Sequence, residues 1–94
     1  MAEPIDIAGS VSVVTGGASG IGKGIVKALL NNGGMVVVAD IEEQPIQETV
    51  AEFKEFGSVE GYVTDVSNES SVEDLSQYVF GKYERCNLLF NNAG

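Results

Sequence analysis

A glycine-rich turn between an apolar run and a helical pattern is the feature that most constrains this chain. Residues 13–24 read VVTGGASGIGKG, with glycine at positions 16, 17, 20, 22 and 24. The run Val11–Val14 is typical of a buried strand, and apolar residues recur at helical spacing from Ile21 to Leu29. Because such a turn lets backbone N–H groups and a helix N-terminus approach phosphate groups, we expect a nucleotide site here.

The alternation of apolar runs and helical patterns continues along the chain. The predicted strands are short and rich in β-branched or aromatic residues, and they are Val11–Val14, Met35–Asp40, Val59–Asp65 and Cys86–Asn92. The first helix is expected to stop within residues 31–34, where two asparagines precede two glycines. Pro45 is expected in the first turn of the second helix, and Ser67 or Asn68 as the N-cap of the third.

Strands that alternate with amphipathic helices predict an α/β fold, here part of a Rossmann-type doubly wound parallel sheet. The stripes expected to be buried are Ile46, Val50 and Phe53 in the second helix and Val72, Leu75, Val79 and Tyr83 in the third. Right-handed crossovers give the strand order 3-2-1-4. In that order the glycine turn and the end of the fourth strand meet at the carboxyl edge of the sheet, where ligands of open parallel sheets bind.

Composition excludes several classes of function. The 94 residues include 14 acidic and 5 basic side chains, a net charge of −9, which argues against nucleic acid or an anionic membrane as a partner. There is no histidine, and Cys86 is the single cysteine, so the chain cannot form an internal disulfide, a zinc site or a histidine-based triad. No secretory signal or membrane span is evident, and we expect a cytoplasmic protein.

Two kinds of phosphate-binding loop are candidates for the glycine turn. The triphosphate pattern G-x-x-x-x-G-K-[ST] fits residues 17–23, but Gly24 replaces the serine or threonine that would bind magnesium. The pattern T-G-x-x-x-G-x-G is complete, in Thr15, Gly16, Gly20 and Gly22. We therefore predict a dinucleotide site, in which the first of these glycines turns the chain and the other two let the backbone approach the pyrophosphate.

Together with three later motifs, this loop resembles the short-chain dehydrogenase/reductase family. Asp40 closes the second strand, Asp65 and Val66 follow the third, and NNAG follows the fourth, in the family's order. The resemblance implies that residues 1–94 are the N-terminal dinucleotide-binding half of a Rossmann domain whose remainder is absent. It implies an oxidoreductase that transfers a hydride between NAD and an alcohol or carbonyl substrate, and a homo-oligomer when complete.

The resemblance also implies the cofactor contacts. The expected cofactor-binding residues are Gly16, Ser19, Gly20, Ile21, Gly22, Asp40, Ile41, Asp65, Val66, Asn92, Ala93 and Gly94. Asp40 would accept the adenosine ribose hydroxyls and repel a 2′-phosphate, and neither Ser19 nor Ile41 supplies the basic residue found in many NADP enzymes. NAD is therefore favoured over NADP. Asp65 would accept the exocyclic amine of adenine, and the backbone N–H of Val66 would contact the ring.

Structural roles stay open for several of these residues. Asp40 is also suited to cap the second helix, and Asp65 with Val66 to form a turn that ends the third strand. Asn92 would lie with its backbone along the adenine ribose, or would tie the fourth strand to its neighbours.

No catalytic residue or metal ligand is predicted within these residues. In the family, the serine and the Y-x-x-x-K pair follow a later strand, whereas Tyr78 and Lys82 precede the fourth strand and are expected near the opposite edge of the sheet. We therefore expect the catalytic segment to lie beyond Gly94 and residues 1–94 alone to be inactive. The alternative is a non-catalytic nucleotide-binding module, or a short product that acts with another chain.

Overall fold

The computed structural model describes residues 9–84 and 88–91. In chain order the elements are β1 (Val11–Thr15), α1 (Gly20–Asn31), β2 (Met35–Asp40), α2 (Glu43–Phe53), a short 3-10 helix (Lys54–Phe56), β3 (Val59–Val63), α3 (Glu69–Tyr83) and β4 (Leu88–Asn91). The predicted α/β class is confirmed. Within these residues, no helix has the length and apolarity that a membrane-spanning segment needs.

The strands form one sheet in the order β3-β2-β1-β4, and every neighbouring pair is parallel. The register sets Thr15, the last residue of β1, opposite Ala39 of β2 and Asn91 of β4. Asp40, the last residue of β2, lies opposite Val63, the last residue of β3. The strands therefore end almost level, and the segments that follow them begin at one edge of the sheet.

The two central strands are covered on both faces. Val14 and Val38 belong to a core with α1 and α2, whereas Val13 and Val37 belong to a second core with α3. Since successive side chains of a strand point to opposite faces, both strands have to be apolar along most of their length. Helices on both faces of a parallel sheet are the doubly wound arrangement.

The ends of the helices follow local capping rules. α1 stops at Asn31, and Gly33, with φ of +84°, donates its N–H to the carbonyl oxygen of Leu30 at 3.0 Å. Pro45 lies in the first turn of α2, as predicted. Asn68 is the N-cap of α3, because its side chain accepts the N–H of Ser71 at 3.1 Å. Of the two predicted N-cap residues of α3, Asn68 is therefore the correct one.

Two details of the predicted elements are wrong. β3 ends at Val63 instead of Asp65, because the N–H of Asp65 donates to the hydroxyl of Ser71 at 2.9 Å. Val72 is 41% exposed, although Leu75 and Val79 of the same predicted stripe are buried. The buried face of α3 is therefore narrower than its apolar pattern suggests.

Candidate functional site

The chain leaves β1 through a turn that glycine makes possible. Gly16 has φ of +66°, a conformation that residues with a side chain rarely adopt. Its N–H donates to the carbonyl oxygen of Ala39 at 2.8 Å, and its own carbonyl oxygen accepts the N–H and the hydroxyl of Ser19 at 3.1 and 2.8 Å. These bonds fix the turn to the end of β2 and bring the start of α1 to the carboxyl edge of the sheet.

The first turn of α1 presents backbone N–H groups at this edge. Ser19 precedes the helix, but its hydroxyl makes no cap hydrogen bond, and the first turn contains no acidic residue. The N–H of Lys23 donates to the carbonyl oxygen of Ser19 at 2.7 Å. The three N–H groups before it, of residues 20–22, have no acceptor within the helix. Together with the positive end of the helix dipole, they suit an anion such as a phosphate.

Gly17, Gly20 and Gly22 of the loop have different surroundings. A Cβ built on Gly22 would lie 2.1 Å from the carbonyl oxygen of Gly16, and one on Gly17 would lie 2.9 Å from Cγ1 of Val38. A Cβ on Gly20, by contrast, would have nothing within 4 Å. Internal packing against Gly16 therefore already requires glycine at position 22, and the predicted approach of a ligand to this residue stays a prediction. Gly20 is the position whose missing side chain leaves open space.

Asp40 joins the end of β2 to the glycine loop. One carboxylate oxygen accepts the N–H of Ile41 at 2.8 Å, and the other accepts the N–H of Ala18 at 3.3 Å. The alternative role of Asp40 as a helix cap is wrong, because Glu42 is the N-cap of α2. Each carboxylate oxygen can accept more than one hydrogen bond, so both can also receive hydroxyl donors of a ligand.

Asp65 begins a turn between β3 and α3. Its Oδ1 accepts the N–H and the hydroxyl of Ser67 at 3.0 and 2.6 Å. These two hydrogen bonds lower the pKa of Asp65 below its ordinary value, so the group is a carboxylate at neutral pH. The alternative of a turn after the third strand is thus correct. The hydrogen bonds of this turn go to Oδ1 of Asp65, so Oδ2 can still accept a hydrogen bond from a ligand.

Five of the predicted residues come together around one cavity. The cavity has a volume of about 150 Å³ and lies between the ends of β1, β2 and β3; its lining is Gly16, Ala39, Asp40, Ile41, Thr64, Asp65 and Val66. Ala39 and Thr64 were not predicted, since small or short side chains at strand ends carry no pattern of their own. Ile21 lies at the start of α1 and is 75% exposed. Asn92, Ala93 and Gly94 lie outside the described residues, as does Cys86.

A larger open groove, of about 460 Å³, runs between α2 and the edge strand β3. Ile46, Val50 and Gly61 are among its lining residues, and none of the predicted cofactor-binding residues is. Because size alone does not define a site, we place the candidate site at the smaller cavity, where polar groups from separate elements converge.

Tyr78 and Lys82 have a different environment. Lys82 forms an ion pair with Glu60 of β3 at 2.6 Å, and the hydroxyls of Tyr78 and Tyr83 donate to the same carboxylate. Glu60 lies opposite Val37, three residues before the end of β2. The pair therefore joins α3 to an edge strand, away from the cavity at the carboxyl edge.

Most of this chain is similar in sequence to known proteins. A protein-family profile described as short chain dehydrogenase matches residues 10–94. A diacetyl reductase, (S)-acetoin forming, from Staphylococcus epidermidis is 39% identical over 84 residues, which are 88% of this chain and 33% of the relative. The chain thus spans about a third of the length of the curated relatives it matches.

Solved structures are also similar. RhlG from Pseudomonas aeruginosa, in an active-site complex with NADP, has a TM-score of 0.87 at 31% identity, over 93% of this chain and 35% of that one. A short-chain dehydrogenase/reductase from Burkholderia phymatum, in complex with NAD, has a TM-score of 0.86 at 31% identity, over 92% of this chain and 31% of that one. Similar proteins therefore bind either cofactor.

Proposed function

Since the chain belongs to the short-chain dehydrogenase family, we propose that its glycine loop and the cavity beside it hold the adenosine and pyrophosphate part of NAD. The N–H groups of residues 20–22, which have no acceptor within α1, would bind the pyrophosphate. Asp40 would accept the ribose hydroxyls, and Asp65 with Val66 would contact adenine. The donors suit an anion and the carboxylates suit hydroxyl and amine groups, so the chemistry of the residues fits this ligand.

The observation that carries the choice of NAD is the position of Asp40. Hydrogen bonds from Ala18 and Ile41 hold its carboxylate between the loop and the cavity. A 2′-phosphate on the ribose would bring a second negative charge to this carboxylate, with no basic side chain at Ser19, Ile41 or Glu42 to offset it. The net charge of −9 adds to the repulsion. NAD is therefore the preferred cofactor, and NADP is disfavoured.

We further propose that the whole protein is a cytoplasmic oxidoreductase acting on a small alcohol or carbonyl substrate. The bound cofactor would supply the hydride acceptor in its oxidised form, NAD, or the hydride donor in its reduced form, NADH. The described residues would supply the adenosine side of such a site, and Tyr78 and Lys82 both form hydrogen bonds with Glu60. The catalytic and substrate-binding residues would therefore come from outside these 94 residues, and the complete protein would be a homo-oligomer.

Substitution of Asp40 in the full-length protein tests the cofactor assignment. Asp40→Ala removes charge-assisted hydrogen bonds to the ribose, so we expect NAD affinity to fall by about 1.5–3 kcal/mol, or roughly ten- to a hundredfold. NADP affinity should rise because the repulsion is removed. Asp40→Asn should raise NADP affinity as well, while it keeps an acceptor for the N–H of Ala18. Calorimetric titration with each dinucleotide gives both affinities.

Glu48→Ala is the matched control, because it removes one exposed negative charge from α2 without touching the loop. It should leave the ratio of NAD to NADP affinity unchanged. Tighter binding of NADP than NAD by the unmodified protein would contradict the role given to Asp40. Absence of binding to either dinucleotide would instead favour a function unrelated to these cofactors.

A further inference from the structure

The turn that carries Asp65 is fixed to α3 through its backbone. The N–H of Asp65 donates to the hydroxyl oxygen of Ser71 at 2.9 Å, and the N–H of Asn68 donates to the carbonyl oxygen of Asp65 at 2.9 Å. The N–H of Ser71 in turn donates to Oδ1 of Asn68 at 3.1 Å. Both backbone polar groups of Asp65 are therefore bound within residues 65–71.

Ser71 attaches this turn to the helix α3. It lies one helical turn before Leu75, which is 6% exposed and packs in the core beneath α3. Ser71 is half-buried, and its hydroxyl contacts the cavity residue Asp65. A hydroxyl at this place can fix the backbone of Asp65 without itself reaching the cavity.

The carboxylate of Asp65 is held from a second side. Its Oδ1 receives both hydrogen bonds from Ser67, which leaves Oδ2 outside the turn. Because the backbone and Oδ1 of Asp65 are fixed, the position of Oδ2 is also fixed, in a residue that lines the cavity. An acceptor in a fixed place distinguishes an amino group from a carbonyl group, because it binds the first and repels the second.

We propose that Ser71 is a positioning residue, which holds Asp65 so that its carboxylate selects the 6-amino group of adenine over the 6-oxo group of hypoxanthine. This inference rests on the proposed function, since it takes the cavity as the adenosine site. Without the Ser71 hydroxyl, the carboxylate shifts and accepts N1–H of hypoxanthine as well. The variant therefore loses discrimination more than it loses stability.

The test compares NAD with nicotinamide hypoxanthine dinucleotide by calorimetric titration of the full-length protein. The unmodified protein should bind NAD about tenfold more tightly or better, as expected for a hydrogen bond to a charged acceptor. Ser71→Ala should lower NAD affinity by about two- to tenfold and bring the ratio of the two affinities close to one. Ser71→Thr keeps the hydroxyl and should restore the ratio. Ser70→Ala, at the exposed neighbouring position of the same helical turn, should not change it.

The role of Ser71 and the proposed NAD site are contradicted by different results. If Ser71→Ala weakens both dinucleotides equally, or leaves the ratio as it was, Ser71 has only a structural role and the inference is wrong. If the unmodified protein binds NAD without discrimination, Asp65 does not contact the amino group, and the inference fails while the NAD site stands. If neither dinucleotide binds, the proposed function fails first.

Discussion

Gly20, Gly22 and Gly24 have different neighbours, so substitution of these single residues can test why each position is glycine. A Cβ on Gly22 would overlap the carbonyl oxygen of Gly16, whereas one on Gly20 or Gly24 would meet nothing within 4 Å. We expect Gly22→Ala to destabilise the protein by about 1–3 kcal/mol, as overpacking does. Gly24→Ala should stabilise it by about 0.5–1 kcal/mol, because alanine is favoured in a helix interior.

Gly20→Ala is the variant that separates ligand approach from packing. It should keep the free energy of unfolding, measured by urea denaturation, yet weaken NAD binding in calorimetry, because the new methyl group occupies space beside the phosphate-binding N–H groups. Gly24→Ala controls for helix propensity and should bind NAD normally. A stable, correctly folded Gly22→Ala protein would show that the contact with Gly16 does not constrain α1.

Single residues also show what the sequence could and could not reveal about the site. Asp40 and Asp65 could be identified because each follows an apolar run, and a strand end is where a polar side chain becomes accessible. The hydrogen bond from Ala18 to Asp40 could not be predicted, because Ala18 is 22 residues away and its N–H reaches the carboxylate only in the folded loop. Ser71 carries no signal of its own, because a serine in the first turn of a helix is common.

At the scale of elements, Glu60 is the residue that attaches α3 to β3. Its carboxylate accepts hydrogen bonds from Lys82, Tyr78 and Tyr83, and the ring of Tyr78 lies 4.5 Å from that of Tyr62. Burial alone would raise the pKa of Glu60, but the three hydrogen bonds outweigh it and lower the pKa below its ordinary 4.5. Burial and the bond to Glu60 raise the pKa of Tyr83 to about 12.

These shifts predict how stability depends on pH. The folded state favours the carboxylate of Glu60, so its contribution is complete above about pH 4.5 and is lost as the pH falls through the lowered pKa. The folded state also favours the protonated Tyr83, whose contribution is complete below pH 10 and is lost as the pH rises towards 12. Glu60→Gln should cost about 1–2 kcal/mol at neutral pH, since the group is partly exposed.

Urea denaturation of the full-length protein at a series of pH values measures this dependence. Part of the stability lost at low and at high pH comes from the interactions of Glu60 with Lys82, Tyr78 and Tyr83. In Glu60→Gln, that part of the loss should disappear. Glu73→Gln removes an equal charge from the exposed face of α3 and should leave the profile as it was. An unchanged profile in Glu60→Gln would show that the cluster does not stabilise the attachment of α3.

The elements themselves were largely predictable because two periodicities are clear in the sequence. Met35–Asp40 is continuously apolar up to its final acid, a pattern typical of a strand that is covered on both faces. Its predicted bounds agree with the structure. The end of β3 was not predictable, because it depends on Ser71, six residues after Asp65. The exposure of Val72 depends on how α3 is rotated on the sheet, and neighbouring apolar residues do not determine that rotation.

At the scale of the whole molecule, the two faces of the sheet differ in how completely they are covered. α1 and α2 together cover one face, whereas α3 is the helix packed on the other within residues 9–84 and 88–91. Around it, Val72, Phe80 and Leu89 are 41%, 53% and 67% exposed, and all three line one apolar cavity of about 320 Å³ beside β4. A protein with this surface uncovered is prone to associate and has reduced stability.

The last prediction concerns the 94 residues produced alone. They supply the proposed adenosine side of the cofactor site, but hydride transfer requires the nicotinamide to be positioned against the substrate carbon. We therefore expect weak affinity for ADP-ribose, no change in NADH absorbance with any alcohol of a broad panel, and unfolding at lower temperature than the full-length protein. Leu89→Lys should reduce association in analytical ultracentrifugation. The prediction fails if the 94 residues oxidise an alcohol and if Tyr78→Phe or Lys82→Met abolishes that turnover, because the pair attached to Glu60 would then be catalytic.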